Sequence, residues 1–314
     1  MTRNGIPLFG GVEVVTTAVT QALPSQLRSR FAALQRPDGG FGATEGIASD
    51  SESTAYAVLA ARDSAPRAVE WLLGQGLPSG AFALSGSAKN ESWATAPALL
   101  ALANGTGEPR EVLQRGAAWL CAARGRELGW IARFLQLMTP KAQRVDQDAS
   151  LVGWSWHRSA QSWVEPTALA ILALKKLRTR TATPQAEERI REGEALIVDR
   201  MCPGGGWNYG NKRVLDFQLE PFADVTGFAL LALDLGQRDA ISQSLARLDA
   251  LLEHERSGLA LSLAVLAFQR HGFRHERWRG ELERWAANPP HRLETRTGAL
   301  ALLAIEENLG ALVS

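Results

Sequence analysis

Trp163 to Leu174 reads WVEPTALAILAL, and the fold of the chain turns on this segment. Beyond Pro166 it is apolar apart from Thr167, with no alternation that would make it a half-buried strand. A helix apolar on every side is buried on every side. The phrase recurs as STAYAVLAA from Ser53, ATAPALLALA from Ala94, VTGFALLALDLG from Val225, SGLALSLAVLAF from Ser257 and RTGALALLAI from Arg296. Such recurrence marks a repeat architecture, in which no unit covers its own core and neighbours share one.

Each apolar segment follows an amphipathic one. Leu27, Phe31 and Leu34 fall on one helical stripe, as do Ile241, Leu245, Leu248 and Leu252, and Trp278, Leu282 and Trp285. Looser versions are AVEWLLGQ from Ala68, VLQRGAAWLCAA from Val112 and AEERIREGEALIVDRM from Ala186. Pro24, Pro66, Pro109 and Pro184 stand at first-turn positions, and Gly39, Gly74, Gly125 and Gly204 close helices. Outer amphipathic helix, turn and inner apolar helix therefore alternate. The inner helices need cover on the face away from their outer partners, which a closed ring supplies. The expected fold is all-α: one domain over 1–314, an α/α toroid (α6/α6 barrel) of six helical hairpins. Its inner ring falls at 54–61, 95–103, 167–175, 226–234, 259–268 and 297–305.

Composition narrows the function. The formal net charge is +1, and no basic block with interleaved aromatics occurs, which argues against a nucleic-acid partner. Cys121 and Cys202 have no ligand-type spacing, so reduced thiols, no metal and no cofactor are expected. The opening MTRNGIPLFGGVEVVTTAVTQAL carries Glu13 within its apolar part, too polar for a signal peptide or a membrane span. A cytoplasmic location is the expectation; the oligomeric state is left open.

Four of the inner helices share a Thr, and the spacing of these threonines is uneven. Thr54 to Thr95 is 41 residues, Thr95 to Thr167 is 72 and Thr167 to Thr226 is 59. The excess lies in inserts at about 125–162 and 203–223, which carry Trp130, Trp154, Trp156, Trp207 and Tyr209. Long loops inside compact domains are often functional. Both inserts enter an inner helix at its N-terminus, so the rim where inner helices begin is the candidate functional end.

The turns QRPDGGFG at Gln35, RMCPGGGWNYGN at Arg200 and LVGWSWHRSAQSWVEPTA at Leu151 share a frame: Gln35, Gly39 and Phe41 correspond to Met201, Gly205 and Trp207. These turns resemble the QW repeats of squalene–hopene cyclases and protein prenyltransferase β subunits, and the small bacterial proteins of unassigned function that carry the repeat. The resemblance implies the toroid fold and an isoprenoid or other apolar small molecule as ligand, with peripheral membrane contact. Trp154, Trp156, Trp163, Trp207 and Tyr209 would then line its site. A Gln amide that bonds a helix end, a Gly that permits the reversal and a stacking ring explain such a turn without any ligand.

Aligning the inner helices on Thr yields an acidic register. Glu52, Glu165 and Asp224 each stand two residues before the Thr. Acids in a helix first turn complement its dipole by about 0.3–1 kcal/mol and need no function. Class II terpenoid cyclases, which this chain resembles here, carry D-x-D-D-T-A at such a start, with the middle Asp as proton donor. The matching phrase is Asp50-Ser51-Glu52-Ser53-Thr54-Ala55, which places Glu52 as the acid, Asp50 as its partner, and Ser53 where the family has its last Asp. Glu165 and Asp224 would stabilise a cation or accept a metal. Asp146-Gln147-Asp148 is a weaker match, and the zinc set of prenyltransferases is missing.

The expected function is thus terpene cyclase-like chemistry or prenyl-chain binding in an apolar lumen. The alternative is a non-catalytic lipid- or peptide-binding toroid. Carbohydrate processing by paired carboxylates is a third reading, which the turn phrases disfavour.

Overall fold

The computed structural model describes residues 25–127, 147–214, 217–290 and 292–314. Among them the helices alternate as the apolar pattern requires. The outer helices are α1 (25–32), α3 (Pro66–Leu73), α5 (Arg110–Ala122), α7 (Ala186–Asp199), α9 (Arg238–Leu251) and α11 (Glu276–Ala287). The inner helices are α2 (Ser51–Ala61), α4 (Thr95–Ala103), α6 (Val164–Leu177), α8 (Ala223–Ala232), α10 (Gly258–His271) and α12 (Thr295–Ile305). Each inner helix packs on the next, and α12 packs on α2, so the ring closes. The seam is hydrogen-bonded as well. Thr295 donates its N–H to the Ala43 carbonyl at 2.8 Å and its hydroxyl to the Gly42 carbonyl at 2.6 Å. Two short hairpins decorate the toroid: β1 (Ala83–Ser85) with β2 (Ala88–Glu91), and β3 (Arg213–Val214) with β4 (Phe217–Gln218). No helix among the described residues is long and apolar enough to cross a membrane.

The shared Thr has a structural cause. Thr54, Thr95, Thr167 and Thr226 accept the backbone N–H of Phe41, Phe82, Trp154 and Trp207 at 3.0, 2.8, 3.0 and 2.9 Å. Each bond pins the aromatic residue of a turn to the start of its own inner helix, satisfying a donor that burial would otherwise leave unpaired. Gly39, Gly80 and Gly205 precede three of these aromatics by two residues, at φ near +95°. A side chain there would be strained, and a Cβ would crowd the Arg67, Arg115 and Gln243 carbonyls of the next outer helix. One turn therefore fixes both the hairpin and its stacking on the following one. Gln35 departs from expectation: its amide donates to the Gly39 carbonyl at 2.8 Å, closing its own turn rather than capping a helix.

Candidate functional site at the N-terminal rim

Inner helices that begin on one rim bring their first turns together, and Arg296 makes the arrangement concrete. It stands in the first turn of α12 and donates to Glu52 of α2 at 3.2 Å and, in a shorter bond, to Glu165 of α6. Counting round the ring, α6 lies opposite α12, so the guanidinium crosses the mouth of the lumen. Beneath it lie the rings of Tyr56 at 5.5 Å and Phe228 at 5.0 Å. Tyr56 is one turn below Glu52 and Phe228 one turn below Asp224, so a charged layer rests on an aromatic one. The Tyr56 hydroxyl and Arg296 Nε are buried with no partner among the described residues.

Burial sets the electrostatics. Desolvation pushes Glu52 up to about 7, with Arg296 pulling it back and Glu165 and Asp50 adding to the rise. Glu165, 6% exposed, is also raised by burial, against the pull and direct hydrogen bond of Arg296. Asp224 and Glu294 face Glu165 electrostatically and raise it further. Burial lowers Arg296, but Tyr56, Glu165 and Glu52 outweigh it and leave the guanidinium above its ordinary value. Desolvation holds Tyr56 neutral as a hydroxyl donor. Two carboxylates that share one guanidinium, one of them protonated near neutrality, can move a proton.

The remaining expected residues divide. Asp50 is the N-cap of α2: its carboxylate accepts from the Ser53 N–H and hydroxyl, both at 2.8 Å, and from the backbone N–H of Glu52. Asp224 is half-buried in the first turn of α8 and accepts from the Val225 N–H at 2.8 Å. Trp154 and Trp207 are buried staples, whose indole N–H groups donate to the Leu120 and Ile197 carbonyls at 3.0 and 2.6 Å. Trp207 is fully enclosed. Trp156, Trp163 and Tyr209 open onto clefts, and an edge of the buried Trp154 borders the larger one. Trp130 and Asp146 lie outside the described residues, and no group of three or more His, Cys, Asp or Glu among those described could hold a metal.

Two clefts open on the rim and bracket Glu165. Trp163, Tyr209 and Phe222 wall a cleft of about 300 Å³. On the other side Trp93, Trp156 and Pro166 contribute to one of about 1000 Å³. The two inserts meet at the start of α6, where the Val164 N–H donates to the Tyr209 carbonyl at 3.1 Å. Sequence reasoning missed Arg296, Tyr56, Trp93 and Phe222. The signal for Arg296 was present: a cation in the first turn of an apolar helix opposes the helix dipole and needs a partner elsewhere.

No protein-family model matches this chain, and no curated protein does. Solved structures do. An α-1,6-mannanase of Salegentibacter sp. HEL1_6, in complex with α-1,6-mannotriose, superposes with a TM-score of 0.57 at 12% identity, covering 93% of this chain and 99% of that one. A polysaccharide lyase gives 0.57 at 12%, over 94% and 98%. A glycosidase in complex with glucose gives 0.56 at 11%, over 96% and 100%. At this identity the likeness establishes the all-α toroid.

These findings correct the family reading. The neighbours are saccharide-processing toroids, not squalene–hopene cyclases or prenyltransferases, and neither the isoprenoid ligand nor the lipid- or peptide-binding alternative is supported. The physical reasons are in the mouth. Where the resemblance puts an apolar chain, Arg296 joins Glu52 and Glu165 in a charged cluster, with the Tyr56 and Phe228 rings against its guanidinium. Asp50 caps a helix rather than sustaining a strong acid. The turn motif that suggested cyclases is a staple, and it says nothing against carbohydrate.

Proposed function

We propose that this chain is a carbohydrate-active toroid that cleaves a glycosidic bond at the rim, with Glu52 as general acid and Glu165 as its carboxylate partner. The observation that carries the reading is the pair of carboxylates on one guanidinium, Glu165 buried and Glu52 half-buried, near two aromatic-walled clefts. Acid–base pairs of glycosidases span roughly 5–10 Å, a reach that a shared guanidinium suits. Arg296 bonds Glu165 more closely than Glu52, so the charge of the pair belongs on Glu165 and the proton on Glu52. Glu52 gives its proton to the departing glycosidic oxygen. Water adds its oxygen to the anomeric carbon, and its proton passes to the carboxylates, restoring the pair. The unpartnered Tyr56 hydroxyl and Arg296 Nε are donors aimed into the same region. Saccharide-processing neighbours on the same fold agree with this reading.

The test is release of reducing ends from a panel of defined oligosaccharides by wild type, Glu52→Gln and Glu165→Gln. Wild-type turnover that falls by about 10²–10⁴ in either variant is expected. A wild type inert on every saccharide, or a Glu52→Gln variant as active as wild type, would remove the proposal.

A further inference from the structure

The larger cleft differs from the mouth in charge. Among the described residues the mouth gathers Glu52, Glu165, Asp224 and Glu294 around one cation, Arg296. Among the described residues the cleft beside it is lined by Lys89, Arg124 and Arg158, with Glu91 the one carboxylate, and that one is bound by Arg158 at 2.7 Å. A chain of net charge +1 thus separates its charges locally. Trp93 and Trp156 meet edge to face at 4.5 Å and are half-buried, a rigid platform for a flat or ring-shaped ligand. Arg124 is anchored by donating to the Cys121 and Ala123 carbonyls at the end of α5, which orders its guanidinium at the cleft wall.

We propose that this cleft binds the anionic part of a saccharide, a sugar ring bearing a carboxylate, while the bond to be cleaved lies at the acidic mouth. The inference rests on the carbohydrate reading above and adds the substrate class. Even with Glu52 protonated, the acids of the mouth outnumber its guanidinium and disfavour an anionic group there. Lys89 and Arg124, beyond the Arg158–Glu91 pair, draw it into the cleft. This fixes the direction of the bound chain. Guanidinium groups favour carboxylates through paired hydrogen bonds, and the tryptophan platform takes the face of the ring.

The experiment is binding of the intact chain to oligogalacturonate, a sulfated oligosaccharide, a neutral manno-oligosaccharide and a single-stranded oligonucleotide, at low and high salt. Oligogalacturonate is expected to bind tightest, to weaken at least tenfold between about 0.05 and 0.5 M salt through screening, and to weaken at least tenfold in Lys89→Ala/Arg124→Ala. Both side chains are exposed, so the variant retains the fold. Trp156→Ala is expected to weaken binding without changing its salt dependence. A sulfated ligand that binds tighter than oligogalacturonate would overturn the carboxylate assignment. Equal or tighter binding of the neutral saccharide or the oligonucleotide, or no binding of any anion, would overturn the proposal. Cleavage of neutral chains without anion preference overturns this inference alone, whereas anion-selective binding without cleavage overturns only the hydrolytic reading.

Discussion

Glu52 was legible in the sequence because it repeats in register with Glu165 and Asp224; what was not legible is why it matters. Its surroundings come from α12, about 240 residues away, and no local pattern announces that Arg296 bridges it to Glu165. The consequence for stability can be signed. Glu52 ionises near 7 when folded against an ordinary value of 4.5, so between those pH values the folded state holds a proton that the unfolded state has lost. Stability from this group is therefore full below about pH 4.5, declines to about pH 7 and is flat above, a loss of about 3 kcal/mol. Glu52→Gln keeps an acceptor for Arg296 and removes the titration. Its Tm should match wild type near pH 4.5 and exceed it by roughly 5 °C at pH 8. An equal Tm at both pH values would mean that Glu52 is charged and comfortable in the fold.

The helical elements were legible because burial on all sides leaves an unmistakable apolar run, as in α6 and α10. The threonine register was visible too, but its cause was not, since each bond closes a loop of 13 or 19 residues whose path the sequence does not show. The same limit mixed staples with cleft walls. Trp154 and Trp156 are two residues apart and both border the larger cleft, yet one is buried with its indole bonded to Leu120 and the other is half-buried against Trp93. Trp154→Ala should cost about 3–5 kcal/mol through the cavity it leaves, while Trp156→Ala should stay within about 1 kcal/mol of wild type. Denaturant unfolding of the two variants checks this, and equal losses would contradict the division into staple and wall.

At the scale of the whole molecule, closure converts six separate helix starts into one rim. The all-apolar inner segments made a toroid legible, whereas the seam between α12 and α2 rests on contacts such as Thr295 to Gly42 that join distant parts of the chain. The turn phrases pointed to the right fold and the wrong chemistry, because a residue that holds a turn to its helix carries no information about the ligand. The proposed chemistry lies instead where Arg296 joins α12 to α2 and α6. The pH dependence of kcat/KM on a cleaved oligosaccharide tests this most directly. Activity should fall tenfold per unit above about pH 7, as Glu52 loses the proton it donates. A rate unchanged to pH 9, or no cleavage of any saccharide between pH 4 and 9, would contradict the account.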